Sequence, residues 1–296
     1  MMKMYKRIAF ILISACTCNN SYACLNSYDE KVEEMEPDPT TITFISQKQR
    51  DEFYQKELKN FLKQHPKPKL IKEKNDYAVR LIYNGEYQKA INILLEIEKT
   101  KPNLSNTAVN LGTAYELLGQ NEKAKFWIEK GLKINPSVHD GSEWIHLNIL
   151  KAKLQRADTK WLQENPILGL DFGSEHFPQL SQNIQSSWGV DKIDHLAYQA
   201  KLQLRERRKF IFGQDLTMAR LAYEAANLEM LRGQLNETKY KYGFKNEIAD
   251  RLATIAKQHG LETNQTEEKR LKILLSNSFI YRFFLRVVDY ISTLFR

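Results

Sequence analysis

Cysteine, proline and glycine are scarce in this chain, and each shortage excludes a class of protein. The 296 residues include 3 cysteines, all within the first 24 positions, so the rest of the chain has neither a disulfide scaffold nor a cysteine-ligated zinc site. With 12 glycines and 8 prolines, the chain has too few turn-forming residues for a collagen, a low-complexity linker or a turn-rich β-sandwich. Hydrophobic residues make up 42% and charged residues 27%, a globular composition that excludes a fully disordered chain.

Catalytic signatures are also missing. The sequence has no phosphate-binding loop, no Gly-x-Ser-x-Gly, no His-Glu-x-x-His and no dinucleotide fingerprint. The triplet Asp171-Phe172-Gly173 matches the metal-binding triplet of protein kinases, but no glycine-rich loop, strand lysine or His-Arg-Asp loop accompanies it. We therefore predict no catalytic residue, no metal and no cofactor, in a protein that is not an enzyme.

Two groups of histidines have the residue types of a reactive site. His195 follows an aspartate in an apolar helical context, which favours a half-buried histidine, with a catalytic base of an envelope hydrolase as the alternative. His139, Glu143 and His146 have spacings that suit one helical face. However, Asp140 is expected to cap this helix with Glu143 in a capping box, so we predict that His139 lies outside the helix and points elsewhere.

The first 23 residues have the pattern of a secretory signal peptide. A basic start is followed by an apolar run, Ile8–Ile13, and by small and polar residues up to Ala23. The apolar run is far shorter than the roughly 18 residues that span a bilayer. We expect cleavage after Ala23. The alternative is a bacterial lipobox, Leu12-Ile13-Ser14-Ala15-Cys16, which places a lipid on Cys16. Both predict export to the periplasm or the cell envelope.

A repeat with a period of 34 residues follows. The same residues recur at that offset: Gly85 and Gly119, Lys89-Ala90 and Lys123-Ala124, Pro102 and Pro136. This pattern resembles the tetratricopeptide repeat, a helix-turn-helix unit of that length. The resemblance implies an all-α solenoid over residues 69–156, with units at about 71–104 and 105–138 and a degenerate third unit from 139.

The resemblance also implies a binding surface. In this family the first helix of each unit lines a concave groove that holds an extended or helical segment of a partner, so we expect a protein or peptide ligand. Asn110 matches one asparagine of the carboxylate clamp of chaperone-binding members, but Asn75 and Val79 stand where that clamp has lysine and asparagine, so a carboxylate ligand is not implied. Matched position by position, the groove residues are Asn75, Val79, Ile82, Asn106, Val109, Asn110, Thr113 and Glu116.

The remaining chain divides by pattern into further segments. Residues 24–68 are predicted to form a lead-in and a basic helix, and residues 157–190 an irregular loop with a short strand at Ile167–Phe172. Helical spacing returns in a second helical region, 191–260, which continues the solenoid or forms a separate bundle. The stretch from Lys48 to Lys74, with nine Lys or Arg residues against four acids, is either a solvated helix face or a surface for an anionic lipid or polymer, whereas predicted export disfavours nucleic acid as a partner.

The last segment, residues 261–296, is predicted to form an amphipathic helix. Its arginines fall within one arc at helical spacing, and bulky apolar residues fill the rest. Three interpretations fit: packing onto the preceding helices, lying on a membrane surface, or spanning a membrane or docking on a partner. The residues that carry these interpretations are Phe279, Arg282, Phe283, Arg286 and Val287.

These patterns together predict a function. Ala23-Cys24-Leu25-Asn26 and Gly141-Ser142-Glu143-Trp144-Ile145 are similar to stretches of exported bacterial repeat proteins of unassigned function. We expect an exported scaffold that mediates protein–protein interaction in a bacterial cell envelope. The alternatives are a membrane-surface assembly factor that uses the C-terminal helix, and an envelope hydrolase.

Overall fold

The structure, a computed structural model, describes residues 25, 27, 28, 46–181, 184, 188–235 and 247–275. In these ranges the chain consists of helices and loops without a strand, which confirms the predicted all-α fold. The predicted signal segment lies outside the described ranges. No helix in the described ranges is long and apolar enough to cross a membrane. The described helices are α1 (Gln47–Gln64), α2 (Ile71–Tyr83), α3 (Tyr87–Thr100), α4 (Ser105–Leu117), α5 (Asn121–Ile134), α6 (Glu143–Leu154), α7 (Thr159–Glu164), α8 (Val190–Arg207), α9 (Leu216–Leu235), α10 (Glu247–Gln258) and α11 (Gln265–Leu275).

Two helix pairs joined by the same turn form the repeats: α2 with α3, and α4 with α5. The first turn contains Gly85 at φ +79° and the second Gly119 at φ +74°, a left-handed conformation that glycine adopts without steric cost. In both turns the residue after the glycine donates its N–H to the carbonyl of Leu81 or Tyr115, each at 2.9 Å. The regular spacing of the glycines therefore reflects two copies of one turn.

Helices α4 and α5 approach each other closely at two glycines. A Cβ at Gly112 would lie 2.4 Å from Ile128 Cδ1, and a Cβ at Gly131 would lie 2.5 Å from Val109 Cγ1. Any larger residue at these positions forces its neighbour to move, which is a destabilising change in a packed core. The small residues of the repeat pattern are therefore required by packing between the paired helices.

Helix α1 and the lead-in close the N-terminal end of the repeat core. The rings of Tyr54 in α1 and Tyr83 in α2 stack with their centroids 4.2 Å apart. Leu25 is 1% exposed in the same core, and Tyr28 donates its backbone N–H to Asp76 at 2.6 Å. A solenoid needs such a cover, because the first unit has no preceding repeat to pack against.

The helices after the repeats form a second core around α9. This helix packs against α6, α7, α8 and α10, and its residues 217–229 are all buried. Alanines in this stretch let the neighbouring helices approach. The same stretch buries Arg220, Glu224 and Glu229, so this core holds charges as well as apolar side chains.

The stretch between α7 and α8 has no strand at Ile167–Phe172, so the prediction of a strand is wrong. Its backbone is bound by side chains instead. Ile167 and Leu168 donate their N–H groups to the carboxylate of Glu224 at 3.0 and 2.7 Å. Arg270 of α11 donates to the backbone carbonyl of Phe172 at 2.8 Å. These side chains supply the partners that buried backbone groups require and that a neighbouring strand would otherwise provide. The predicted irregular loop also contains the short helix α7.

Candidate functional site

A segment from the C-terminal half lies against the side of the repeats that the resemblance assigns to a partner. It comprises residues 206–215, the end of α8 and the loop to α9, and we call it the covering segment. The side chains of α2, α4 and α6 that face it form what we call the inner surface. These side chains are Tyr83, Thr113, Glu116, Leu117, His146 and Lys153.

The main polar contact between the two is centred on Glu116 of α4. Lys153 Nζ lies 2.9 Å and His146 Nε2 lies 2.6 Å from its carboxylate oxygens. Arg207 of the covering segment donates to both oxygens of the same carboxylate. Apart from Lys153, these side chains are at most 7% exposed. Five residues form what we call the charged cluster, which joins α4, α6 and the covering segment: Glu116, Glu143, His146, Lys153 and Arg207.

The opposite charges of Glu116, Glu143 and His146 favour one another's ionised forms. Burial would raise the pKa of Glu116, but the neighbouring cations, Arg207 first, outweigh it and hold this pKa well below its usual range. Burial would also raise the pKa of Glu143, but His146 and His139 lower it to about 2. Burial would lower the pKa of His146, but Glu116 and Glu143 raise it. Because its two ring nitrogens lie 2.6 and 2.7 Å from carboxylate oxygens, His146 is an imidazolium that donates twice.

The turn before α6 differs from the prediction. Asp140 does not cap the helix: its backbone is left-handed at φ +52°, and its carboxylate accepts a hydrogen bond from Tyr198 at 2.8 Å. His139 is left-handed too, at φ +57°, and its Nδ1 lies 3.2 Å from Glu143 instead of pointing elsewhere. His139, Glu143 and His146 therefore meet in the interior. In the part of the chain that the structure describes, however, no group of His, Cys, Asp or Glu residues has the arrangement of a metal site.

Phe210 is the aromatic anchor of the covering segment. Its ring stacks on Tyr83 of α2, with centroids 5.5 Å apart and an interplanar angle of 7°. The guanidinium of Arg50 in α1 lies 5.5 Å from the centroid of the Phe210 ring. Phe210 packs against the repeat core, whereas the next residue, Ile211, packs against the core around α9. The covering segment therefore links the two cores.

Packing between the covering segment and the inner surface is incomplete. A cavity of about 190 Å³ lies between them. The cavity is partly open to solvent and large enough for several water molecules, so the two surfaces are not tightly packed at this point. The cavity is lined by Thr113, Glu116, Leu117, His146, Lys153, Glu206, Arg207, Phe210, Ile211 and Asp215.

The eight predicted groove residues divide into sets. Thr113 and Glu116 line the cavity, and Asn106 is half-buried. The other five are 0% exposed: Asn75, Val79, Ile82, Val109 and Asn110. The two asparagines hydrogen-bond to each other at 3.1 Å, and the three apolar residues belong to the repeat core. Because these five are buried, another protein cannot contact them in this conformation, and the role of all eight in binding stays a prediction.

The other candidate residues are not joined to this site. His195 is exposed on α8 instead of half-buried, and its Nε2 lies 3.0 Å from the side chain of Gln199. It is exposed because α8 packs through the apolar residues on its other side, such as Leu196 and Ala197. The predicted lipidation and tail residues lie outside the described part of the chain: Cys16, Phe279, Arg282, Phe283, Arg286 and Val287.

Sequence patterns do not single out the covering segment. The signal that the sequence does contain is a basic run followed by aromatic residues, Arg207-Arg208-Lys209-Phe210-Ile211-Phe212, between two stretches of helical spacing. A second signal is Glu116, an acid on the predicted inner side of the second unit. Their charges are complementary, but 91 positions separate Glu116 from Arg207, and periodicity relates only residues that are near in sequence.

Comparison with known protein families identifies one segment of the chain. A family model of the tetratricopeptide repeat matches residues 106–138, which covers α4, α5 and the residues just before the turn that leads to α6. The chain contains a tetratricopeptide repeat. No curated protein and no solved structure matches it significantly. Tetratricopeptide repeats generally bind protein or peptide partners, and the matched repeat supports a role as a protein–protein interaction scaffold.

Proposed function

We propose that the protein is an exported scaffold that binds a protein or peptide partner in a bacterial cell envelope. The observation that carries the proposal is the matched tetratricopeptide repeat, together with a preceding unit of the same turn geometry. The signal-peptide pattern over residues 1–23 supports export, and so does the lipobox pattern that ends at Cys16.

The charged cluster supports a scaffold more than a catalyst. Both oxygens of Glu116 are bound by cations, and Glu143 lies between His139 and His146 at 3.2 and 2.7 Å. A general base needs an atom that is free to take a proton from a substrate. Here the carboxylates are bound by cations, and the charged groups hold three helices together, which is a structural role.

A second candidate function is a membrane-surface assembly factor, and the C-terminal sequence favours it. At helical spacing, Arg282 and Arg286 would fall within a narrow polar arc, while Phe279, Phe283 and Val287 would fall in the wider apolar arc beside it. A helix of this kind binds a membrane surface by burying its apolar side and placing arginines near anionic headgroups. In this version the tail binds lipid and the repeats bind the partner.

Cell fractionation combined with cross-linking tests the proposal. The full-length protein is compared with a variant that ends at Leu275. This end point is chosen because Leu271, Ile273 and Leu274 are buried. A variant that also lacked these residues would lose part of the packed core as well as the tail. The intact mass of the mature protein is measured in parallel, since an N-terminus at Cys24 and a lipidated Cys16 give different masses.

The proposal expects both forms in the envelope fraction, cross-linked to the same protein partner through the repeats. Loss of both the partner and the envelope association on truncation would favour the second candidate. A protein that keeps residues 1–23 and stays in the cytoplasmic fraction would contradict export.

A further inference from the structure

We propose that the covering segment is an internal occupant of the inner surface, which a partner displaces by presenting an arginine followed three residues later by an aromatic residue. The inference rests on the proposed function, because it takes the repeats to be a peptide-binding scaffold. It adds the chemistry of the partner segment and a reason why the binding surface is closed in the isolated chain.

The covering segment occupies the position of a ligand. Its two anchoring contacts to the repeat units are made to first helices of the helix pairs: Arg207 to Glu116 of α4, and Phe210 to Tyr83 of α2. These are the helices that the repeat architecture assigns to a partner. Residues 208–210 continue α8 as a turn in which Phe210 and Ile211 donate their N–H groups to the carbonyl of Arg207 at 3.0 Å, so Arg207 and Phe210 project from one turn of the chain.

Arg207 and Phe210 anchor the segment on the repeats, and both have the chemistry of binding hot spots. Arginine and aromatic residues are enriched among the residues that dominate binding energy. Arg207 donates two hydrogen bonds to one carboxylate, and such bidentate pairing fixes direction as well as charge. The Phe210 ring lies parallel to Tyr83 and next to the Arg50 guanidinium. A partner that replaces the segment must satisfy the same carboxylate and the same rings.

The incomplete packing under the segment makes displacement feasible. The cavity of about 190 Å³ lies at this contact, so part of the inner surface is not covered by atoms of the segment. Phe212 is 44% exposed, so the segment also carries an aromatic side chain that the fold leaves largely unburied. A partner with a better fit to the cavity gains contacts that the internal segment does not make.

The segment lowers the apparent affinity of the inner surface for any partner. When a competent state is populated only part of the time, the apparent dissociation constant rises in inverse proportion to that fraction. A segment that is in place nine-tenths of the time thus weakens binding about tenfold. Weakening the anchors of the segment should therefore strengthen binding of a peptide in trans.

A synthetic peptide with the sequence of residues 203–215 is the probe, and its binding to the full chain is measured by fluorescence anisotropy. The opened variant carries Arg207→Ala and Phe210→Ala, and a matched control carries Phe126→Ala, which alters a side chain that is 59% exposed on α5. We expect the opened variant to bind the peptide at least about tenfold more tightly than the wild type and the control do. Adding Glu116→Ala to the opened variant should remove that gain.

Equal dissociation constants for the wild type and the opened variant would overturn the proposal. So would equal binding of a peptide in which the arginine and phenylalanine at these positions are alanine. Circular dichroism checks that each variant keeps its helices; if the double variant loses them, Phe210→Ala alone, which leaves the ion pairs intact, carries the test. Because the measurement uses purified protein, its failure is distinct from a failure of export or of partner capture in cells.

Discussion

The repeats and the region around α9 both have packed helical interiors, but different kinds of side chain stabilise them. In the repeats, helix pairs pack through small and apolar residues such as Gly112 and Ile128, and glycine turns complete the backbone hydrogen bonds. Around α9, buried charges bind backbone that is neither helix nor strand. Arg220 contacts Glu224 and Glu267, and Glu224 in turn accepts the N–H groups of Ile167 and Leu168.

This difference shows what regular structure contributes. A repeated helix pair satisfies most of its own backbone, so its interior can be largely apolar, and its buried Asn75 and Asn110 bind each other. A buried irregular stretch has no such internal partners, and side chains from neighbouring helices must bind it. Such side chains are stabilising only while all members of the network are present, since a single buried charge without its partner is costly.

The largest effect is expected from breaking the network around α9. Arg220→Met leaves the carboxylates of Glu224 and Glu267 buried without their shared cation. We expect the free energy of unfolding to fall by about 3–5 kcal/mol, measured by urea denaturation. Arg251→Met, which alters an exposed arginine on α10, is the matched control and should change stability little. If the two variants are equally stable, the charges do not hold the irregular backbone.

A somewhat smaller effect is expected from an apolar truncation in the repeats. Ile128 is 0% exposed and packs at the close approach of α4 and α5. Ile128→Ala should lower the free energy of unfolding by about 2–5 kcal/mol, through lost apolar burial and a cavity. Leu95→Ala, at a side chain that is 37% exposed on α3, is the control. A small effect of Ile128→Ala would show that the repeat interior is not tightly packed.

The smallest effect concerns pH, at the charged cluster where the two regions meet. His146 is surrounded by Glu116 of α4, Glu143 of α6 and Arg207 of α8, and its pKa is raised above 6.5 by the two acids, although burial opposes this. Protonated His146 therefore stabilises the fold at pH values below 6.5, and this contribution is lost as the pH rises through the raised pKa. Each unit of pKa difference corresponds to about 1.4 kcal/mol.

Urea midpoints between pH 6 and 9 measure this contribution. The wild type should lose stability over this range, and His146→Gln should lose less, because it carries no titrating ring at that position. Parallel pH curves for the two proteins would show that the imidazolium does not contribute to the contact between the regions.

The repeats are the part of the fold that the sequence predicts well. Gly85 and Gly119 lie in two copies of the same turn, so the 34-residue period of the sequence predicts both turns. The turn at His139 and Asp140 is not predictable in the same way, because both residues take left-handed conformations that their types adopt only occasionally. Without that turn, the meeting of His139, Glu143 and His146 cannot be foreseen from spacing.

The site is harder to predict than the fold, for a physical reason. Glu116 is a plausible groove residue by its position in the repeat, but its partner Arg207 lies in another region of the chain. Neither helical periodicity nor repeat matching relates these two residues. Charge complementarity is the only sequence signal for the contact, and many acids and bases in the chain share it.

A double-mutant cycle between Glu116 and Arg207 tests most directly whether the covering segment lies on the repeats. The free energy of unfolding is measured for the wild type, Glu116→Gln, Arg207→Met and the double variant. We expect a coupling energy of at least about 1 kcal/mol, because contacting residues in one ion network typically couple by 0.5–3 kcal/mol. A control cycle of Glu116→Gln with Arg251→Met should be additive. Additivity within about 0.3–0.5 kcal/mol for Glu116 and Arg207 would contradict the account.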